Sequence, residues 1–237
     1  MLKQTLTEIK KGQVGTGLLI ENDGYISLDL EGNENLMESV RLNESEGTRV
    51  LPSPFIVSAV FQKFDIENAN GRIYPEHILK REVEKYQKFI AERRSYGEAN
   101  HPDTSTISID RIAMMITELH WVEHTLVGKM MLPITDGFRK YGIVSTLADL
   151  VAHWILSGLK IGVSSRGMGT VRQEMGKIIV CDDYEIVCWD VVTQPSTPSA
   201  WIEETSDNLT PYLENKEKKG EIIKEDKFSK FENWLNG

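Results

Sequence analysis

The sequence predicts an α+β domain with an extension at each end, and three observations carry that prediction. Several short segments alternate apolar and polar residues with the period of a strand, and two longer ones repeat apolar residues at helical spacing. Apolar density also falls over residues 1–52 and again over 205–237. A chain of 237 residues has room for one sizeable core plus extensions, which places the domain over 53–204.

Residues 1–52 are rich in Glu and Asn and carry turn signals at Asn22-Asp23-Gly24 and Glu31-Gly32-Asn33, so they read as a weakly ordered arm or a removable pro-segment. The punctuation Leu51-Pro52-Ser53-Pro54 opens a first core strand over 55–64, where Ile56, Ser58, Val60 and Gln62 alternate with Phe55, Val57, Ala59 and Phe61. A turn at 68–71 leads to Pro75, which suits a helix start. Ile78, Leu79, Val83, Tyr86, Phe89 and Ile90 then recur at helical spacing to an end near Arg94. Residues 107–121 and 126–131 read as two strands joined around Glu123-His124, most simply a hairpin. A single second helix is expected over 138–156, stopped by Gly158. It feeds a strand that ends at the serines of 164–165, followed by a glycine-rich turn over 166–169 and further strands at 177–181 and 186–192. Beyond Trp201-Ile202 a Lys/Glu-rich linker ends in an amphipathic pattern of Ile222, Ile223, Phe228, Phe231, Trp234 and Leu235. That pattern suits docking on a scaffold or capsid protein, or folding back on the core.

A formal charge of −9 with basic residues interspersed among acidic ones argues against a surface for nucleic-acid phosphates. The chain has neither a signal-peptide pattern nor an apolar run approaching the ~20 residues of a membrane span, so a soluble intracellular protein with no membrane partner is expected. Cys181 and Cys188 read as reduced, partly buried thiols. His77, His120, His124 and His153 lack the His-x-x-x-His spacing of a zinc hydrolase, so no metal and no cofactor are expected.

Two motifs carry chemistry: Gly97-Glu98-Ala99-Asn100-His101-Pro102 and Gly162-Val163-Ser164-Ser165-Arg166-Gly167. A serine hydroxyl becomes a nucleophile only beside a base, and acyl transfer also needs donors for the oxyanion. His101 is the candidate base. Ser164 and Ser165 are alternative nucleophiles, since neighbours on a strand point to opposite faces and spacing alone does not choose between them. Asp190 interrupts the apolar run 186–192 and needs a partner there. It is a candidate to orient the imidazole, or else a structural carboxylate paired with Arg111, with Glu98, Asp110 and His120 as competitors. Backbone donors in the 166–169 turn, with Arg166 and Gly167, are candidates for oxyanion support; the competing reading of Arg166 is a surface cation pairing with a carboxylate. Asn100 and Pro102 shape the histidine loop, while Arg72 and Tyr74 read as scaffold. The Gly-x-Ser-x-Gly elbow of ester hydrolases is absent.

Four motifs occur in fixed order within residues 55–202: Asn-Gly-Arg-Ile-Tyr-Pro at 70–75, Gly-Glu-Ala-Asn-His-Pro at 97–102, Gly-Val-Ser-Ser-Arg-Gly at 162–167 and Asp-Val-Val-Thr-Gln-Pro-Ser at 190–196. In this the chain resembles the prohead (capsid maturation) serine proteases of tailed bacteriophages. The resemblance implies an antiparallel β-barrel of the herpesvirus-assemblin type surrounded by helices. It also implies an endopeptidase that cuts scaffold, core and capsid proteins inside the assembling prohead in the host cytoplasm. The Gly-Val-Ser frame favours Ser164 as nucleophile, with His101 as base. The third member differs among such enzymes, being His in the herpesvirus proteases. Members often cut after Glu with an apolar residue two positions before it. Leu42-Asn43-Glu44 and Ile202-Glu203-Glu204 fit that rule, making Glu44 and Glu204 candidate self-cleavage sites and residues 45–204 the trimmed core. The competing expectation is a catalytically inactive, scaffold-associated structural protein of the prohead, which would have no need for a histidine, a serine and a carboxylate together. A homo-oligomer is left open.

Overall fold

The structure, a computed structural model, describes residues 8–27, 50–51 and 53–193. It is a mixed α+β fold dominated by one nine-stranded sheet. The strands are β1 (Gly15–Ser27), β2 (Phe55–Lys63), β3 (Arg72–Ile73), β4 (Tyr96–Glu98), β5 (Ile112–Val122), β6 (Thr125–Leu132), β7 (Gly162–Glu174), β8 (Lys177–Val180) and β9 (Glu185–Val192). The helices are α1 (Glu76–Ala91), α2 (Asp136–Tyr141) and α3 (Leu147–Leu156). Strand order runs β3-β8-β7-β1-β2-β6-β5-β4, with β9 pairing β7 off that path. The short β3–β8 pair is parallel and the other strand pairs are antiparallel. Beyond β4, Ala99 bridges Val191 of β9, and the Asn100 N–H donates to the Val191 carbonyl at 2.8 Å.

Much of this follows from local sequence. Pro75 precedes α1, whose Ile78, Leu79, Val83 and Tyr86 form the buried stripe. β5 and β6 form the expected hairpin around Glu123, which takes a left-handed φ of 53°. Gly158, with φ 76°, follows the end of α3 as expected.

Three expectations are corrected. Residues 15–27 lie within the expected weakly ordered arm, yet they form an inner strand of the sheet. β1 pairs β7 from Gly15 to Tyr25 and pairs β2 from Tyr25 to Ser27. Its low apolar density was misleading because flanking strands satisfy its backbone, and Leu18 and Leu19, both fully buried, join it to the core. Two residues of the 70–75 motif clamp the same segment. The Asn70 amide donates to the Ile20 carbonyl at 3.0 Å, and Arg72 donates to the carbonyls of Ile9 and Ile20.

The single helix expected over 138–156 is two. Gly142 ends α2 in the left-handed region at φ 71°, a conformation that costs glycine little. Thr146 then starts α3 with a capping box to Asp149. Asp149 is buried and also accepts from the Thr135 N–H at 2.7 Å and the Ser145 N–H at 3.0 Å, tying the two helices together.

The strand expected to end at the serines instead begins beside them and runs on to Glu174, so 166–169 is strand and not turn. Gly167 is required by packing: a Cβ there would sit 2.4 Å from the Tyr184 ring. The core lies around Trp189, which meets Phe61 and Tyr86 edge-on at 5.7 and 5.0 Å between ring centroids and so anchors β9. No helix among the described residues is long and apolar enough to cross a membrane.

Candidate active site

Register and alternation build the site. In the β7–β9 ladder Ser164 stands opposite Asp190, Ser165 opposite Trp189 and Arg166 opposite Cys188. Side chains alternate across a sheet, so Ser164, Arg166, Cys188 and Asp190 share one face while Ser165 and Trp189 share the other. His101 reaches the first face from the loop after β4. That loop is held to β9 by the Ala99–Val191 bridge, with Asn100 at a left-handed φ of 64°.

His101 lies between the other two members. Its Nδ1 is 2.8 Å from Asp190 Oδ2, and its Nε2 is in hydrogen-bond contact with Ser164 Oγ. Asp190 and Ser164 are fully buried, whereas the His101 side chain keeps 11% exposure, so the imidazole is the member that reaches the surface.

Asp190 Oδ1 accepts from the Glu98 N–H at 2.9 Å and from Arg166 Nη2 at 3.2 Å. Arg166 Nε lies 2.9 Å from Oδ2, an ion contact without hydrogen-bond alignment. Arg166 also donates from Nη2 to Glu98 Oε2 and to Cys188 Sγ, and from Nη1 to the Thr104 carbonyl at 2.7 Å. Glu98 Oε1 accepts the Ser108 N–H at 2.8 Å. Burial works against the charged guanidinium, but Cys188, Asp190 and Glu98 outweigh it and raise its pKa above the ordinary value. Burial, then Asp190, pushes the Cys188 thiol well up, so it stays protonated. Burial, then Cys188 and Asp190, does the same to the nearby Tyr86 phenol.

The structure therefore brings His101, Ser164 and Asp190 into one hydrogen-bonded series. Ser165 is on the opposite face, where its buried Oγ has no hydrogen-bond partner among the described residues. Arg166 is fully buried, which corrects its reading as a surface cation. Lying mid-strand between β1 and β9, Arg166 and Gly167 do not form the expected oxyanion turn. Arg111 donates to the Ala99 carbonyl at 2.7 Å and its nearest acidic partner is Glu98, not Asp190. Asp110 is exposed and bonds Ser108, and His120 sits beside Glu118 on β5. Glu44 and Glu204 lie outside the described residues, as does the C-terminal amphipathic pattern. Sequence reasoning missed that Cys188, like Glu98, accepts from Arg166 beside Asp190. The available signal was the i, i+2 spacing of Cys188 and Asp190 on one strand, facing Ser164 and Arg166 at the same spacing.

A hydroxyl, an imidazole and a buried carboxylate in series form an arrangement suited to acyl transfer through a serine nucleophile. The chain belongs to the family described as prohead core protein serine protease, which matches residues 18–210. Among curated proteins it is 29% identical over 149 residues to the prohead core protein protease of Enterobacteria phage T4. That match covers 62% of this chain and 66% of the relative, so it spans just under two thirds of the T4 protein. Among solved structures, the bacteriophage T4 capsid assembly protease superposes with a TM-score of 0.58 at 23% identity, covering 75% of this chain and 98% of that one. That likeness speaks for the fold.

Proposed function

We propose that the chain is a serine endopeptidase that cleaves scaffold, core and capsid proteins within the assembling prohead, with Ser164 as nucleophile, His101 as general base and Asp190 orienting the imidazole. The observation that carries this reading is His101 bonded through one ring nitrogen to Asp190 and through the other to Ser164. Attack on a peptide carbonyl moves the Ser164 proton to Nε2. The Nδ1–H donates to Asp190, which holds the tautomer and stabilises the imidazolium. Collapse of the tetrahedral intermediate returns the proton from Nε2 to the leaving amine, and water, activated by the same imidazole, then releases the acyl group.

The family membership and the T4 relative support the substrate class. The preference for Glu, and self-cleavage after Glu44 and Glu204, belong to the same reading. Cleavage after Glu44 would cut the covalent link between β1 and β2 while leaving β1 held by its ladders, so the product would be a nicked protein. The isolated bridge from Ala99, one residue beyond β4, to Val191 of β9 is the contact that supports reading the sheet as a barrel, although the strand order itself does not close; the assemblin type is what the resemblance implies.

Intact mass followed over time at neutral pH, for the wild-type chain beside Ser164→Ala, Ser165→Ala and His101→Ala, tests the proposal. Fragments ending at Glu44 or Glu204 in the wild type and in Ser165→Ala, but in neither of the other two, are expected. An intact chain in every sample, together with failure to cut a supplied peptide containing Leu-Asn-Glu-Ser, would overturn it.

A further inference from the structure

Glu98 and Arg166 are both fully buried, and no proton or bond of the proposed reaction passes through either side chain. An arginine and a glutamate without exposure are costly to bury, and replacing such a pair by apolar residues is often neutral or stabilising. Fold stability is therefore a weak explanation for their presence, and their bonds point elsewhere. Arg166 grips Asp190 and the Thr104 carbonyl, while Glu98 grips Asp190 through its backbone N–H and Ser108 through its carboxylate. Thr104 and Ser108 follow His101 in the chain, so the pair ties the segment that carries the imidazole to the strand that carries its carboxylate.

We infer that Glu98 and Arg166 are positioning residues that orient the His101–Asp190 bond and set the net charge met by a proton on His101. This rests on the reading of His101 as the general base. The formal charges are −1 on Glu98, −1 on Asp190 and +1 on Arg166, a sum of −1. A proton on His101 brings the cluster to zero. Removing the Glu98 charge leaves the imidazolium facing a neutral pair, and removing the Arg166 charge leaves it facing two carboxylates. Proton affinity at His101 should move in opposite directions in the two cases. The other groups packed around Asp190 are the Cys188 thiol on β9 and the Tyr86 phenol on α1, both held protonated, and Arg111, 3.9 Å from Glu98. None of these changes in either variant.

The test is an NMR titration of the His101 ring in a Ser164→Ala background, which does not depend on turnover. Glu98→Gln should lower the His101 pKa, and Arg166→Gln should raise it, by roughly half a unit or more each. In the Ser164-containing enzyme, Glu98→Gln should lower kcat at least tenfold with little change in KM and shift the acidic limb of the pH profile downward. Arg166→Lys keeps the charge but loses the fork, so it should lower kcat while leaving that limb in place. If Arg166→Gln does not fold, the Glu98→Gln titration decides alone. Unchanged His101 titration in every folded variant would overturn the inference. The underlying reading fails separately, if His101→Ala still cleaves.

Discussion

Ser164 and Asp190 are cross-strand partners on β7 and β9, and His101 bonds both from a loop that neither strand contains. Two members of the series are thus set by sheet register. A one-residue slip of β7 against β9 would put Ser165 on the site face and remove Ser164 from it. The single loop-borne member is itself tied to β9 at Ala99 and Asn100.

Ser164→Ala and His101→Ala should each lower kcat/KM on a Leu-Asn-Glu-Ser peptide by about 10⁴-fold or more, whereas Ser165→Ala should stay within about tenfold of wild type. A steady-state assay at neutral pH reads both. The reverse ranking of the two serines would mean that the active register differs from the one described.

Asp190→Asn keeps the shape but removes the charge that orients the imidazole. It also leaves Arg166 with only Glu98 as an ionic partner. A fall in kcat of about 10³–10⁴-fold is expected, with KM changed far less. Thermal unfolding of the same variant should also drop, because the buried Arg166 then loses one of its two counter-charges.

Leu19→Ala should cost about 2–5 kcal/mol in denaturant unfolding, since this residue is fully buried in β1. Deleting residues 1–27 removes the strand between β7 and β2 and should abolish cooperative unfolding as well as activity. A deletion variant that melts like the wild type would show that β1 is dispensable.

Asp149 gives a pH dependence whose sign can be worked out. Burial raises its pKa, but the bonds from Thr135 and Ser145 outweigh this and hold the carboxyl below its ordinary value. A lowered folded pKa contributes stability above the unfolded pKa of about 3.9, and that contribution is lost as pH falls through the folded value. The stability gap between wild type and Asp149→Asn, measured by urea unfolding, should be constant from pH 7 to about pH 5. It should then shrink below about pH 4.

Local chemistry was enough for the elements whose signals lie within a few residues. Pro75 and the apolar stripe define α1, Glu123 marks the hairpin and Gly158 follows the end of α3. The division of the second helix was also written locally, in Gly142 and in the Thr146–Asp149 box, but the continuous apolar spacing obscured it. Candidate residues could be named from composition as well, because a histidine in a Gly/Asn/Pro loop, paired serines and an aspartate in an apolar strand are local anomalies.

What the sequence by itself determined, then, was the α+β class, the bounds of β2, α1, β6, β8 and β9 to within a few residues, and a short set of chemically competent residues. Tertiary structure alone decided which of them meet. Through β7–β9 register it put Ser164, and not Ser165, on the face that His101 reaches, and it gave Asp190 to His101, 89 positions away, instead of to Arg111. It turned Arg166 from an expected surface cation into a buried anchor, and it drew an apolar-poor N-terminal segment into the sheet. The physical reason is range. Helix periodicity and turn chemistry act between residues a few positions apart, whereas strand register and the pairing of buried charges are settled by which distant segments close around one core.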